Sequence, residues 1–160
     1  MGKIEDRLAE LDVVLPPPVV TPPGVVLPFA FVHVVDNRAM ISGHAPQTSD
    51  GSLAGPFGKL GTDLTVEQGY VSARLVGLSI LGSLQRELGT LDRVHGWVKA
   101  LGMVNADADF TDHPAVINGF SDLILEVFGP DVGVHSRSAV GMASLPWSIP
   151  VEIEAEVVVR

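Results

Sequence analysis

The C-terminal segments HSRSAVGMASLP (residues 135–146) and PVEIEA (residues 150–155) carry the pattern that decides the fold of this chain. They predict a strand over about 137–143, a turn, and a last strand over about 151–159. Side chains two residues apart in a strand share a face. One face of the last strand is therefore apolar, with Val151, Ile153, Ala155 and Val157, and the other is acidic, with Glu152, Glu154 and Glu156.

Arg137 and Glu152 are the candidate functional pair of these segments. A guanidinium binds a carboxylate through two parallel hydrogen bonds, and a glutamate beside it can hold a water molecule. Antiparallel pairing of the last two strands would bring Arg137 and Glu152 together for chemistry on a small carboxylate. Two simpler interpretations stay open: the glutamates form a solvated strand face, and Arg137 is an ordinary ion-pair partner.

Outward from these segments, apolar periodicity predicts five strands and two helices in the order ββαβαββ. Two helices packed on one face of a mostly antiparallel sheet make an α+β layer fold. The predicted strands cover about residues 25–35, 38–42, 91–104, 137–143 and 151–159, and the predicted helices run from after Thr65 to Leu88 and from about Asp112 to Phe128.

The first of these helices has two unlike faces. Thr65 and Gln68 have the spacing of a capping box, and Gly89 can end the helix. Interior glycines cost about 1 kcal/mol each, so the face that carries them is expected to make a close backbone contact. The predicted apolar stripe is Val71, Leu75, Leu78, Leu81 and Leu88, and the small-residue face is Gly69, Ser72, Ala73, Gly77 and Gly82.

Residues 1–24 are predicted to be an N-terminal extension that docks on a single domain, residues 25–160. Ile4, Leu8 and Leu11 share one face of a short helix over residues 3–12. The segment LPPPVVTPPG (residues 15–24) is too rich in proline for regular structure and should run extended over the surface. The charged start lacks the apolar core of a signal peptide, so a cytoplasmic location is the default expectation.

The composition of the chain disfavours several classes of function. The net charge of −9 disfavours nucleic-acid binding, and the absence of cysteine removes disulfides and thiolate chemistry. The five histidines show no metal-ligand spacing, so no metal site is predicted. With 46% hydrophobic residues but no run long enough to cross a membrane, the apolar surplus favours an oligomer interface.

The C-terminal motif resembles the signature of the Rid (YjgF-like) family of reactive-intermediate enamine and imine deaminases. The matching residues are Ser136-Arg137-Ser138, Leu145-Pro146 and Val151-Glu152-Ile153-Glu154-Ala155, with weaker matches at Ile41-Ser42-Gly43 and Val116-Ile117-Asn118-Gly119. The resemblance covers about residues 25–160 and agrees with the ββαβαββ order.

The resemblance implies a chorismate-mutase-like fold assembled as a homotrimer with clefts between subunits. Relatives hydrolyse small enamine and imine acids to 2-keto acids and ammonium without a cofactor. By position, Arg137 would hold the substrate carboxylate and Glu152 would position the attacking water. Asn118 and the backbone of Ser42 and Gly43 would line the pocket. Arg137 would also lower the pKa of a nearby Glu152.

Two positions depart from the family pattern, and they keep alternatives open. Phe29 stands where the family's deaminases commonly carry a pocket tyrosine, and Ala139 stands where a cysteine is frequent. Phe29 is nevertheless assigned to the pocket, as an apolar wall. The alternatives to a deaminase are a non-catalytic trimer that binds small carboxylates such as 2-keto acids, and, least favoured by the acidic charge, a ribonuclease.

Overall fold

The computed structural model describes residues 2–21 and 23–160, which form three helices and one five-stranded sheet. The ββαβαββ order of the domain is confirmed, with a short helix added before it. The elements are α1 (Lys3–Glu10), β1 (Val32–Val35), β2 (Arg38–His44), α2 (Val66–Leu88), β3 (Val94–Asn105), α3 (His113–Gly133), β4 (Ser136–Met142) and β5 (Val151–Val159).

The strands lie in the order β1-β2-β5-β3-β4. The β1–β2, β2–β5 and β3–β5 pairs are antiparallel, so the mostly antiparallel sheet is confirmed. The last two strands do not pair with each other, because β3 lies between them. β4 runs parallel to β3 instead, as expected when a helix such as α3 connects two neighbouring strands.

β5 separates the two faces of the sheet as predicted. Val151, Ile153 and Val157 are fully buried in the core against the helices. Glu152 and Glu156 are half-buried and Glu154 is exposed; by strand alternation these glutamates lie on the other side of the sheet. We call that side, away from α2 and α3, the open face.

α2 and α3 approach each other through small residues, which confirms the expected close contact. A Cβ on Gly119 would overlap the carbonyl oxygen of Tyr70, and one on Gly77 would lie 2.7 Å from Leu123 Cδ2. The predicted apolar stripe of α2 is largely wrong, because this contact buries the small-residue face. Val71 is 57% exposed, and of that stripe only Leu81 and Leu88 are buried.

The ends of α2 follow the sequence prediction, and the end of α3 does so in part. Thr65 and Gln68 form the capping box, and Gly89 closes α2 in the left-handed region with φ 82°. In α3 the helical backbone breaks at Gly129, with φ 72° and ψ 174°, and one further turn follows to Gly133.

The first strand is shorter than predicted. β1 begins at Val32, and Val25 and Val26 upstream of it are exposed. Pro28 has no N–H to donate to a strand ladder. Pairing with β2 begins where the Ser42 N–H donates to the Phe31 carbonyl at 3.0 Å.

The N-terminal segment contacts the body at defined points. The Asp92 carboxylate accepts hydrogen bonds from the backbone N–H groups of Lys3 and Ile4, each at 2.8 Å. Leu8 is buried, and the Pro16 carbonyl accepts from Arg86 Nη1 at 3.0 Å. Among the helices that the structure describes, none has both the length and the apolar character needed to cross a membrane.

Candidate functional site

Arg137 lies on β4 with its guanidinium held by α3. Nη2 donates to Asn118 Oδ1 at 2.7 Å and to the Pro114 carbonyl at 3.2 Å, and Nη1 donates to Ser121 Oγ at 2.9 Å. Arg137 pairs with Ala100 of β3, which pairs with Ala155 of β5. Because paired residues share a face, Arg137 lies on the helix side of the sheet. We call Arg137, Asn118 and Ser121 the arginine cluster.

The charge of Arg137 is not neutralised within residues 2–21 and 23–160. The three ion pairs found there join Arg7 to Glu10, Arg38 to Glu156 and Arg74 to Glu126. The acceptors of Arg137 are an amide, a carbonyl and a hydroxyl, all uncharged. A half-buried guanidinium with neutral partners keeps its full attraction for an anion.

Glu152 lies on β5 beside a bulge in β2. The β2–β5 register shifts between Ile41 and His44, and Gly43 falls within that irregularity. A Cβ on Gly43 would overlap Glu152 Oε1, so the missing side chain makes room for the carboxylate. Glycine at this bulge therefore has a steric reason.

Ser42 lies next to this bulge, and Phe29 precedes the residue that Ser42 bonds. Ser42 Oγ donates to the Ala30 carbonyl at 2.7 Å, which fixes the segment just before β1 against β2. Phe29 is 51% exposed and its ring packs edge-on against Phe31, with centroids 5.4 Å apart. We call Glu152, Ser42, Gly43 and Phe29 the glutamate cluster.

Burial raises the pKa of Glu152, and the neighbouring Glu154 carboxylate raises it further. The protonated acid is favoured more than in an exposed glutamate. The expected lowering of this pKa by Arg137 is therefore not found within one protomer.

The two clusters do not meet in a single chain. Glu152 pairs with Met103, and Met103 pairs with Val140, three residues along β4 from Arg137. Strand spacings of about 4.8 Å and a rise of about 3.3 Å per residue put the Cα atoms of Glu152 and Arg137 about 14 Å apart. Their side chains also lie on opposite faces. The expected closeness of Arg137 and Glu152 is wrong within one protomer.

Two residues that contact this network were missed by sequence reasoning. His135 Nε2 lies 2.9 Å from Ser121 Oγ, and its Nδ1 lies 2.8 Å from the Gly133 carbonyl. A signal was available for both. Ser121 follows Asn118 by three residues, which places them on one helix face, and His135 precedes Arg137 by two, as same-face strand residues do.

Two depressions on the surface of the single chain lie away from both clusters. Two shallow cavities of about 500 Å³ each border the loop of residues 106–112, and one of them reaches Lys59 and His113. Neither is lined by a member of the arginine or glutamate cluster. Within residues 2–21 and 23–160, no group of histidine and carboxylate side chains has a metal-binding arrangement.

Comparison with known proteins identifies relatives along most of the chain. A family model described as "YjgF/chorismate mutase-like, putative endoribonuclease" matches residues 5–151. Protein TCP17 of Trypanosoma cruzi is 44% identical over 115 residues, which is 72% of this chain and 71% of that protein.

Solved structures agree over nearly the full length. The protein Atu1372 of Agrobacterium tumefaciens superposes with a TM-score of 0.85 at 35% identity, covering 98% of this chain and 91% of that one. A protein of Shewanella oneidensis MR-1, described as a "putative endoribonuclease", gives a TM-score of 0.87 at 29% identity, covering 99% of this chain and 100% of that one.

Proposed function

This chain belongs to the YjgF/chorismate mutase-like family, and from that premise we propose that it hydrolyses small reactive enamine and imine acids to 2-keto acids and ammonium. Arg137 holds the substrate carboxylate and Glu152 positions the water. The observation that supports this most is the unneutralised guanidinium of Arg137, half-buried and held by three neutral oxygen atoms.

The proposed site needs two copies of the chain. The arginine cluster of one copy faces the glutamate cluster of the next, and a cleft forms between them. A head-to-tail contact of this kind repeats around a closed ring when the rotation between copies closes. A homotrimer is the ring that the family resemblance implies.

Apolar side chains on the open face support assembly through that face. Strand pairing places Val35, Met40 and Val140 on this face, and they are 44%, 38% and 39% exposed. Exposed apolar side chains grouped on one sheet face are typical of a protein–protein interface. Burying them between copies would also bring β4 of one chain toward β2 and β5 of its neighbour.

The proposed hydrolysis needs few catalytic groups from the protein. An enamine gains a proton at its β-carbon to become an iminium, water adds to the C=N carbon, and the resulting carbinolamine expels ammonia to leave the keto acid. Arg137 fixes the carboxylate next to that carbon. Glu152 accepts a hydrogen bond from the water when ionised and can supply a proton when protonated.

A second candidate is a trimer that binds 2-keto acids without turnover. Phe29 supports it, because the exposed ring offers no hydroxyl at the place where the family's deaminases commonly have one. This candidate uses the same Arg137 contact, so saturable keto-acid binding is common to both and turnover separates them.

A coupled assay tests the proposal. An amino-acid oxidase generates imino acids from a panel of amino acids, semicarbazide traps them, and hydrolysis by the protein lowers semicarbazone formation. We expect activity in the wild type and a loss of about 100-fold or more in Arg137→Ala and in Glu152→Ala. Keto-acid binding by calorimetry without turnover would favour the second candidate. A parallel RNA-cleavage assay addresses the endoribonuclease description of the family; with a net charge of −9 we expect no cleavage.

Mixed assemblies test whether the site is shared between copies. When inactive Arg137→Ala and Glu152→Ala chains are co-refolded in equal amounts, random mixing places both intact residues at roughly a quarter of the interfaces of a ring. Activity should return to roughly that fraction of the wild type. Activity that stays at zero in folded mixed trimers would place both residues of the site in one chain and contradict the proposal.

A further inference from the structure

Arg137 is one end of a hydrogen-bonded trio that reaches away from the site. Its Nη1 donates to Ser121 Oγ at 2.9 Å, and the same oxygen lies 2.9 Å from His135 Nε2. The far nitrogen of the imidazole, Nδ1, is 2.8 Å from the Gly133 carbonyl. We call Arg137, Ser121 and His135 the Arg137 trio.

With a neutral imidazole, the partners assign every proton in this trio. A carbonyl only accepts, so His135 Nδ1 carries the hydrogen that it donates to Gly133. In the neutral imidazole Nε2 is then an acceptor, and the Ser121 hydroxyl donates to it. The remaining lone pairs of Ser121 Oγ are left to accept from Arg137. The hydroxyl therefore has one orientation that satisfies both neighbours.

The imidazole itself is held by aromatic packing. The His135 ring lies edge-on to Phe120 with centroids 5.7 Å apart, and 6.5 Å from the ring of Trp97. Both Trp97 and Phe120 are core residues. The trio thus connects the exposed edge of the sheet to fixed rings in the interior.

We propose that Ser121 and His135 are positioning residues that hold the Arg137 guanidinium in one orientation for the substrate carboxylate. The role rests on the proposed function of Arg137. Arginine has a flexible side chain, and each rotamer that binding must freeze costs affinity. A guanidinium held beforehand by Ser121 and by Asn118 binds a carboxylate without that cost. Within the described residues its Nε–H has no protein acceptor and stays available to the ligand.

The same arrangement occurs a second time, at the glutamate cluster. Arg86 Nη2 donates to Ser83 Oγ at 3.0 Å, Ser83 Oγ lies 2.9 Å from His44 Nε2, and His44 Nδ1 lies 2.6 Å from the Ser42 carbonyl. We call Arg86, Ser83 and His44 the Arg86 trio. It holds the backbone of the bulge that makes room for Glu152, so each cluster is supported by its own arginine, serine and histidine.

Serine substitutions test the positioning role through binding and kinetics. Ser121→Ala is expected to raise both the dissociation constant of pyruvate and the KM for imino acids about tenfold, with kcat changed less than twofold, because only the ligand's carboxylate contact is disturbed. Ser121→Thr keeps the hydroxyl and is expected to restore most of the affinity. His135→Phe keeps the aromatic packing, removes the Nε2 acceptor and should resemble Ser121→Ala. Ser79→Ala removes a buried hydroxyl that donates to the Leu75 carbonyl and should leave both constants unchanged.

A ligand-free measurement separates this inference from the proposed function. In NMR spectra of the assembled wild type, the Arg137 guanidinium N–H signals should be sharp, the His135 ring should carry its proton on Nδ1, and Ser121→Ala should broaden the guanidinium signals. If Ser121→Ala broadens the Arg137 signals but the wild type binds no keto acid, the proposed function is contradicted, whereas the positioning of Arg137 by Ser121 and His135 is supported. Unchanged signals and an unchanged pyruvate dissociation constant in Ser121→Ala would overturn the positioning role.

Discussion

The Arg137 trio and the Arg86 trio contain the same three side-chain types, but opposite ends of the two trios lie at the candidate site. In the Arg86 trio the histidine lies at the candidate site: His44 holds the Ser42 carbonyl, and Arg86 ends on the Pro16 carbonyl. In the Arg137 trio the arginine lies at the site and His135 is the support. One trio therefore fixes a backbone segment, whereas the other fixes a charge.

Burial follows this division of roles. His44 is 3% exposed and Ser83 8%, as suits residues that serve the interior packing of β2 on α2, whereas Arg86 at the far end of that trio is exposed. Ser121, His135 and Arg137 are only half-buried, which leaves the guanidinium open to a ligand. The hydrogen bonds of the Arg86 trio thus contribute mainly to stability, and those of the Arg137 trio contribute mainly to ligand recognition.

Replacing the arginine of each trio should have the largest effect. The Arg137 replacement should lower activity, whereas the Arg86 replacement should lower stability. Arg137→Ala is expected to lower kcat/KM for imino acids, or keto-acid affinity, by about 100-fold, since a charge-assisted contact to the carboxylate is lost. Its free energy of unfolding should change little. Arg86→Ala should instead lower the free energy of unfolding by about 1–2 kcal/mol, because two hydrogen bonds to buried acceptors are lost. Its activity should fall less than tenfold.

Urea unfolding and the semicarbazide assay on both arginine variants make this comparison. The two trios would lose their distinction if Arg86→Ala lost as much kcat/KM as Arg137→Ala at an unchanged free energy of unfolding.

Acid should destabilise the protein through the Arg86 trio. Burial, with a smaller contribution from the charge of Arg86, lowers the pKa of His44 from 6.5 to about 4, against the opposing effect of the hydrogen bond that His44 donates to the Ser42 carbonyl. Below pH 6.5 the unfolded chain binds a proton that the folded chain does not. The free energy of unfolding should therefore fall by about 3 kcal/mol between pH 6.5 and pH 4 from this group alone.

Urea unfolding at a series of pH values measures that slope. His44→Gln removes the titrating ring and should flatten the curve between pH 6.5 and pH 4, although it is less stable at neutral pH. Ser79→Ala removes a buried hydroxyl of α2 and no titrating group; it is the control and should keep the slope. A wild-type curve that is already flat over this range would show that His44 is not buried in its neutral form.

Filling the space beside Glu152 should impair the glutamate cluster while leaving the arginine cluster intact. The methyl group of Gly43→Ala would overlap the Glu152 carboxylate and push it aside. We expect kcat to fall about tenfold while pyruvate, held by Arg137, binds with the same dissociation constant. Gly96→Ala, where an added Cβ meets nothing within 4 Å, is the control in the same sheet. A Gly43→Ala protein with the wild-type kcat would mean that the position of Glu152 does not matter to turnover.

The titration of Glu152 should show whether the clusters meet between copies. In one protomer burial and Glu154 raise the pKa of Glu152. The guanidinium of Arg137 in a neighbouring copy would lower it. By ¹³C NMR of the side-chain carboxyl, the Glu152 pKa should therefore be lower in the assembled wild type than in assembled Arg137→Ala. Equal values in the two proteins would mean that assembly does not bring these residues together.

Local patterns in the sequence predicted much of the fold. The alternation in β5, the capping box at Thr65 and the glycine at the end of α2 each depend on residues close in sequence, and each is confirmed. The pairing of β4 was missed because it depends on α3 carrying the chain across to β3, which no pattern within β4 or β5 reveals. The buried face of α2 was misjudged because the predicted stripe left out Val76, Ile80 and Leu84, which are fully buried together with the small-residue face.

The site residues were proposed from a motif, and their arrangement could not follow from it. Spacing in sequence does not say on which side of a sheet two distant strands present their side chains. Arg137 and Glu152 therefore looked like neighbours, although β3 separates them in one chain. The spacing of Ser121 from Asn118 and of His135 from Arg137 indicated a shared face only weakly. The hydrogen bonds from Arg137 to Ser121 and between Ser121 and His135 show why that spacing matters.

The two tryptophans give the protein a built-in optical readout. Trp97 is 5% exposed among Phe120, Phe128 and His135, whereas Trp147, in the turn between β4 and β5, is 76% exposed. A buried indole emits at shorter wavelength than one in water. Unfolding should therefore shift the Trp97 emission to the red, and contacts that cover the turn should shift the Trp147 emission to the blue. Comparing Trp97→Phe and Trp147→Phe proteins would separate folding from assembly by fluorescence alone.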